Sequence, residues 1–138
     1  MTEKFYFDTS IWLDFLENRD EPNMPKGTWA KELIKKIIKE NNKILFSDNN
    51  MLELINCGYL EFEIEELLNK LNSIIIYVET TEKEIGKAKD LSQKRDLPKK
   101  DALHALIARD NNSILITLDN HFKKLIDITF PHNPKEFI

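Results

Sequence analysis

The stretch KKDALHALIARDNNSILITLDNHF, residues 99–122, decides the fold class. Its first half carries apolar residues at helical spacing between charged ones, which predicts an amphipathic helix that ends at Asn111 and Asn112. Residues 113–118, SILITL, are too apolar for a half-exposed strand and predict a central strand that is covered on both faces. Asp119 follows that strand directly, at the carboxyl end where open α/β sheets place their sites. Asp119 is therefore a candidate site residue by position alone.

The rest of the chain alternates between short apolar strands and helices of mixed polarity. Apolar runs predict further strands at residues 4–7, 43–47 and 73–78, and a short edge strand at 127–130. Helical spacing predicts helices at residues 11–17, 48–56, 61–71, 81–95 and 120–125, and one that starts at Thr28. Residues 18–27 contain two prolines and a glycine and predict an exposed loop. Strands that alternate with helices indicate a parallel sheet with right-handed crossovers. We therefore predict one three-layer α/β/α domain, residues 1–138, around a central parallel sheet of four to five strands.

Composition narrows the class of protein. With 41% apolar and 32% charged residues, the chain has the balance of an ordinary water-soluble domain. No apolar run approaches the roughly 20 residues of a membrane span, and the first residues lack the pattern of a signal peptide. The single cysteine, Cys57, excludes an internal disulfide and favours a reducing, cytoplasmic location. A net charge of −4 argues against a nucleic-acid coat protein but leaves a nucleic-acid enzyme open.

Four acids are expected to converge on the carboxyl edge of this sheet. Asp8 and Asp119 each end a strand, Glu53 lies on the second turn of the helix after the second strand, and Asp101 starts the helix that leads into the central strand. Such a group repels itself, because like charges raise one another's pKa. A hard divalent cation, Mg²⁺ or Mn²⁺, would resolve the repulsion through oxygen ligands. Its usual task is to activate water and stabilise charge on a phosphoryl group.

Each acid also has a structural explanation. Asp8 and Asp119 could be helix caps worth about 1 kcal/mol each. Asp101 could be a first-turn residue that the helix dipole favours, and Glu53 a solvated helix acid. The joint pattern of four acids on separate elements favours the site for all of them.

The motifs that carry these acids resemble a known family. DTS at residues 8–10, S-x5-E at 47–53, DALHA at 101–105 and T-x-D-x-x-F at 117–122 resemble the four signatures of PIN-domain ribonucleases. The resemblance runs nearly end to end and is closest to the single-domain VapC-type toxins of toxin–antitoxin pairs.

The resemblance implies a chemistry and a set of roles. Asp8, Glu53, Asp101 and Asp119 would hold one or two Mg²⁺ or Mn²⁺ ions and orient a water for in-line attack on a phosphodiester in RNA, single-stranded or structured. Thr9 and Thr117 match hydroxyl positions that support the metal cluster. Relatives of this kind typically form homodimers, and a small cognate antitoxin holds them inactive.

Two positions depart from the family pattern. Many members carry a basic residue just after the fourth acid, where this chain has Asn120. The loop at residues 18–27 is also long and acidic, at Asp20 and Glu21, so partner or substrate contacts cannot be transferred to it.

Other side chains receive secondary predictions. Arg95, Lys99 and Lys100 flank Asp101 and are candidates to contact RNA phosphates. His104 is expected to pack or form a hydrogen bond rather than bind the ion, because Mg²⁺ prefers oxygen. We expect Cys57 to be a small buried residue, His121 to lie at the surface and Asp48 to cap a helix.

Three other functions compete with that of a toxin. A PIN-fold nuclease for rRNA or tRNA maturation would have the same four acids, so this sequence does not separate the two. A phosphoacceptor receiver domain would need paired acids after the first strand, where Thr9 and Ser10 stand, and a lysine after the last strand, so it is disfavoured. A non-catalytic binding relative is expected to have lost one of the acids, and all four are present.

Overall fold

A computed structural model describes residues 2–138 of the chain, so residue 1 of the predicted domain lies outside the described residues. The main sheet has five strands: β1 (Lys4–Phe7), β4 (Lys43–Ser47), β5 (Ile75–Val78), β6 (Ile114–Ile116) and β7 (Pro131–His132). Their order across the sheet is β5-β4-β1-β6-β7, and every neighbouring pair is parallel. The predicted parallel α/β architecture is therefore confirmed.

Six α-helices connect the strands in the part of the chain that the structure describes. They are α1 (Thr9–Glu17), α2 (Lys26–Lys39), α3 (Asp48–Asn56), α4 (Glu61–Lys70), α5 (Glu82–Arg95) and α6 (Lys99–Asp110). Two 3₁₀ helices follow, at Asn120–Leu125 and Pro134–Phe137. A separate two-stranded hairpin joins β2 (Asp20–Glu21) to β3 (Met24–Pro25). No helix of residues 2–138 is both long and apolar enough to cross a membrane.

Alternation along the strands divides the core into two layers. Successive strand side chains point to opposite faces, so Phe5 and Phe7 of β1 lie on one face and Tyr6 on the other. The first face packs against α1 to α4, through apolar residues such as Leu33 and Leu54. The second face packs against α5, α6 and the 3₁₀ turn at Asn120–Leu125. The result is three layers, helix on sheet on helix.

Strand β1 occupies the centre of the sheet. Tyr6 pairs in register with Leu45 of β4 on one side and with Leu115 of β6 on the other. All three side chains are buried, as expected for strands covered on both faces. The residue that follows β1 therefore emerges in the middle of the carboxyl edge.

Several predicted details are wrong at the periphery. The predicted loop at residues 18–27 contains the β2–β3 hairpin, which turns through Asn23 at a φ of 65°. The predicted edge strand at 127–130 forms instead at Pro131–His132, because the amides of Ile128 and Thr129 bond back to the Leu125 carbonyl and keep that segment turned. A proline is tolerated there because β7 is an edge strand. Cys57, predicted buried, is exposed.

The junction of α1 and α2 depends on a glycine. Gly27 lies against the left-handed turn at Asn18 that ends α1. A Cβ at Gly27 would come within 2.7 Å of the Arg19 amide nitrogen and within 2.8 Å of the Asn18 Cα. Backbone atoms cannot move aside as a flexible side chain can, so this contact fixes how closely the two helices approach.

We expect Gly27→Ala to lower the free energy of unfolding by about 1 to 3 kcal/mol, because the added methyl overpacks a backbone contact. Gly86→Ala is the matched control, because a Cβ at Gly86, within α5, meets no atom within 4 Å. That variant should gain about 0.5 to 1 kcal/mol from the better helix propensity of alanine. Urea unfolding of both variants checks the prediction, and equal stabilities would contradict it.

Candidate active site

Asp8 stands at the centre of the carboxyl edge, directly after β1. Its Oδ1 accepts hydrogen bonds from the Ile11 amide at 3.1 Å and from Ser10 Oγ at 2.6 Å, and its Oδ2 accepts one from Thr117 Oγ1 at 2.5 Å. Asp8 is therefore the cap of α1, so that this helix begins at Thr9 rather than at the predicted residue 11. Burial raises the pKa of Asp8 above its ordinary value, although these donors oppose the shift.

Thr117 joins the acid after β1 to the acid after β6. Its hydroxyl donates to Asp8, and the same oxygen accepts a 3.0 Å hydrogen bond from the backbone amide of Asp119. The Asp119 carboxylate caps the following 3₁₀ helix by accepting from the His121 amide at 2.8 Å. Both Asp8 and Asp119 thus cap a helix and also face the same edge of the sheet.

Asp101 lies on the first turn of α6, and only 4% of its surface is exposed. Its Oδ2 atom is buried and has no hydrogen-bond partner among the described residues. Burial and the nearby charge of Asp119 raise the pKa of Asp101 to about 6. The nearest candidate donor is His121 Nδ1, 3.2 Å away, and within residues 2–138 no hydrogen bond to Oδ2 is formed. A buried carboxylate oxygen that accepts no hydrogen bond is costly, so this atom indicates a site that is built to receive a ligand.

His121 lies between two of these acids. Its Nδ1 is 3.2 Å from Asp101 Oδ2 and 3.1 Å from Asp119 Oδ1, and the ligand atoms of the three residues lie within 4.8 Å of one another. The side chain is half exposed, as predicted, but its ring reaches into the acid group. This contact follows from the tight 3₁₀ turn after Asp119, which apolar periodicity does not reveal.

Glu53 reaches the site from the second turn of α3. Its Oε1 accepts a hydrogen bond from Thr9 Oγ1 at 2.5 Å and lies 2.5 Å from His104 Nε2. Burial would raise the pKa of Glu53, but the hydrogen bond from His104 outweighs it and lowers the pKa. The predicted hydrogen-bonding role of His104 is confirmed.

Ser47 and Asn50 hold the start of α3 and were missed as site-supporting residues. Ser47 caps α3 by accepting from the Asn50 amide, in the place predicted for Asp48. Asp48 instead accepts from the amide and hydroxyl of Thr80. The Asn50 side chain donates to Thr9 Oγ1 at 3.0 Å, which orients that hydroxyl. A serine followed three residues later by a polar side chain was the available signal for this capping box.

The predicted acids line one cavity. It measures about 400 Å³ and is bordered by Asp8, Glu53, Asp101 and Asp119 together with Thr9, Ser10, His104 and Lys100. Four carboxylates from four separate segments thus share one open space. Oxygen ligands with one unpartnered buried oxygen fit a hard divalent cation.

The predicted basic residues divide between two places. Lys100 borders the cavity itself, and Lys99 borders an adjoining hollow beside Thr80. Arg95 does not line either space: its guanidinium forms two hydrogen bonds to Asp127, at 2.7 and 2.9 Å. Of the three predicted basic residues, the structure brings Lys100 to the acid group, Lys99 to the pocket beside it and Arg95 to neither.

The protein is an α/β domain with a five-stranded parallel sheet between helical layers, and its carboxylates lie together at the carboxyl edge of that sheet. The sequence profile of the PIN domain matches residues 5–127, and the chain belongs to the PIN domain family. The family resemblance predicted from the four motifs is confirmed. No curated relative matches the sequence.

Solved structures share this fold at low sequence identity. VapBC2 from Rickettsia felis, bound to a DNA fragment from its promoter, has a TM-score of 0.65 at 19% identity, over 94% of this chain and 98% of that chain. VapBC-1 from nontypeable Haemophilus influenzae has a TM-score of 0.66 at 18% identity, over 96% and 98%. A toxin–antitoxin complex from Klebsiella pneumoniae has a TM-score of 0.61 at 20% identity, over 94% and 97%.

The raised pKa of Asp101 predicts how pH changes stability in the metal-free protein. The folded pKa is about 6 against an ordinary 3.8, so ionising Asp101 opposes folding. The stabilising contribution of its proton is complete below pH 3.8 and is lost as pH rises through about 6. Asp101→Asn should therefore raise the free energy of unfolding at neutral pH by about 1 to 3 kcal/mol, with the gain fading toward acid pH.

Denaturant unfolding in EDTA across this pH range measures the effect. Asp90→Asn is the control, because Asp90 is a surface acid of α5 paired only with Lys94, and its effect should stay within about 0.5 kcal/mol. An Asp101→Asn protein that is less stable than the native protein at every pH would contradict the assigned repulsion.

Proposed function

We propose that this chain is a divalent-metal-dependent endoribonuclease that hydrolyses phosphodiester bonds of single-stranded RNA. The observation that carries the proposal is the convergence of Asp8, Glu53, Asp101 and Asp119 on one open cavity, where the buried Oδ2 of Asp101 accepts no hydrogen bond from any described residue. Membership of the PIN domain family supports it.

Asp8, Glu53, Asp101 and Asp119 would hold Mg²⁺ or Mn²⁺. When bound, the ion would supply an activated water and stabilise the charge that develops on a phosphoryl group. The chain's own contribution is to fix the carboxylates beforehand. Ser10 and Thr117 hold the two oxygens of Asp8, and Thr9 holds Oε1 of Glu53. Carboxylates that are already oriented need little rearrangement when the substrate arrives.

The substrate's phosphates would meet Lys99 and Lys100. Lys100 borders the cavity, and its charge also helps to lower the pKa of Glu53, so its ammonium group lies close enough to act on this site. A lysine there would neutralise a backbone phosphate of the RNA without reading its sequence. RNA binding by Arg95 stays a prediction from sequence. In the structure its guanidinium is bonded to Asp127.

We further propose that the protein is the toxin of a toxin–antitoxin pair, a homodimer held inactive by a small antitoxin in the cytoplasm. The support is structural likeness. Three similar structures are of VapBC or toxin–antitoxin complexes, and each match covers at least 94% of this chain. This proposal concerns the biological role of the protein and is independent of the proposed nuclease activity.

Purified protein should cleave a pool of single-stranded RNAs in Mn²⁺ or Mg²⁺ and lose the activity in EDTA. Asp8→Asn should reduce the rate by about 100-fold or more, because it removes a fixed charge from the reacting centre. Gel analysis of the products, with a single-stranded DNA pool of the same sequences alongside, measures the reaction and its preference for RNA.

Glu65→Gln is the matched control, because Glu65 is an exposed acid on α4 away from the cavity, and its rate should equal that of the native protein. Cleavage that persists in EDTA, or an Asp8→Asn rate equal to the native rate, would point to a contaminating nuclease and reject the proposed function.

A further inference from the structure

A chain of hydrogen bonds runs through the core to the site. Ser47 Oγ lies 2.8 Å from Tyr6 Oη, and Tyr6 Oη lies 2.6 Å from His104 Nδ1. Ser47 and Tyr6 are fully buried, and His104 is 2% exposed. The three residues come from β4, β1 and α6, so the chain crosses three elements of the fold. Buried polar groups from separate elements seldom form a continuous chain of hydrogen bonds unless a residue at one end has to be held in place.

The chain ends on Glu53. His104 Nε2 and Thr9 Oγ1 both contact Oε1 of that carboxylate, at 2.5 Å each. Among residues 2–138, no hydrogen bond is made to the other oxygen, Oε2. The two donors therefore occupy one side of the carboxylate and leave the second oxygen available to the cavity that Glu53 borders.

The directions of these hydrogen bonds follow from what each group can donate. An ionised carboxylate only accepts, so Nε2 of His104 must carry a proton to bond Oε1. A neutral imidazole has one N–H, so Nδ1 is then an acceptor, and the Tyr6 hydroxyl must donate to it. A phenol has an ordinary pKa of about 10, so at neutral pH Tyr6 keeps the proton that it donates. The Ser47 hydroxyl has two acceptors within reach, Tyr6 Oη at 2.8 Å and Asn50 Oδ1 at 3.1 Å, and can complete the chain of hydrogen bonds by donating to Tyr6, the nearer one.

We propose that Tyr6 and His104 are positioning residues for the active site. The Glu53 carboxylate selects the tautomer of His104 with its proton on Nε2, and the Tyr6 hydroxyl donates to Nδ1 and so holds the ring in place. The Nε2–H in turn holds Oε1 of Glu53 so that Oε2 faces the ion. The consequence for metal binding rests on the proposed function. The hydrogen bond from Tyr6 to His104 belongs to the metal-free protein and stands apart from it.

The first measurement is the tautomer of His104, read from the ¹⁵N shifts of both ring nitrogens in metal-free protein at neutral pH. We expect a protonated Nε2 and an unprotonated Nδ1. Tyr6→Phe, which keeps the ring volume, should keep the proton on Nε2 and move the Nδ1 shift, because Nδ1 loses the hydrogen bond from the Tyr6 hydroxyl. Tyr59→Phe should leave the native pattern, because Tyr59 bonds only the surface acid Glu17. A proton on Nδ1 in the native protein, or no change in Tyr6→Phe, would overturn the proposal.

The second measurement is Mn²⁺ affinity by titration calorimetry, which needs no RNA. The amide of a glutamine at position 104 reaches as far as Nε2, whereas that of an asparagine ends at the level of Nδ1. His104→Gln should therefore stay within about threefold of the native affinity, while His104→Asn should lose about 10- to 100-fold, as is typical for residues that orient a metal ligand. Equal losses in the two variants would show that His104 only fills space and would overturn the proposal.

The two measurements separate this proposal from the proposed function. If the native protein binds no Mn²⁺ and cleaves no RNA, the proposed function fails. The ¹⁵N measurement still decides whether the Tyr6 hydroxyl donates to Nδ1 of His104. If His104→Asn does not fold, as its unfolding curve would show, Tyr6→Phe supplies the affinity comparison. Its Mn²⁺ affinity should fall, and native affinity in that variant would overturn the proposal.

Discussion

Burying several carboxylates together at one edge of the sheet is the constraint that the surrounding interactions have to offset. Burial is the main cause of the raised pKa of Asp101, and the nearby charges of Asp119 and then Asp8 add to it. Folding brings them together only because other interactions offset the cost. The hydroxyl of Thr117 bonds Asp8, and burial of the apolar strands beneath supplies the driving force. A bound cation would remove the remaining cost, and Oδ2 of Asp101, which is buried and accepts no hydrogen bond from the described part of the chain, marks where the cation is needed.

The central position of β1 connects the core to this edge. The strand is hydrogen-bonded to β4 and β6, so its direction is fixed on both sides and Asp8 emerges at a defined point. On the face toward α6, the side chain of Tyr6 meets His104, which in turn contacts Glu53. One strand thus positions two of the four acids, the first through the backbone and the second through buried side chains. Mutations in the core of β1 should therefore affect the site as well as stability.

The three layers and the convergence of four acids could be predicted from the sequence, because both follow from periodicity and from the ends of strands. The hairpin at β2–β3 and the edge strand β7 could not, since two-residue strands are set by pairing with a neighbour rather than by local preference. The contacts of long side chains could not be predicted from the sequence either. Arg95 was expected near the acids, but Asp127 holds it elsewhere, and His121 was expected at the surface, yet its ring meets Asp101. Neither outcome is visible in the spacing of charges along the chain.

An anomalous difference map from crystals soaked in Mn²⁺ shows directly whether these acids form a cation site. We expect a peak at bonding distance, about 2.0 to 2.6 Å, from carboxylate oxygens of Asp101 and Asp119 and within reach of Asp8. Crystals of Asp101→Asn, soaked in the same way, should show a weaker peak or none. A native map with no peak at the acids, or with Mn²⁺ bound only elsewhere on the surface, would contradict the account.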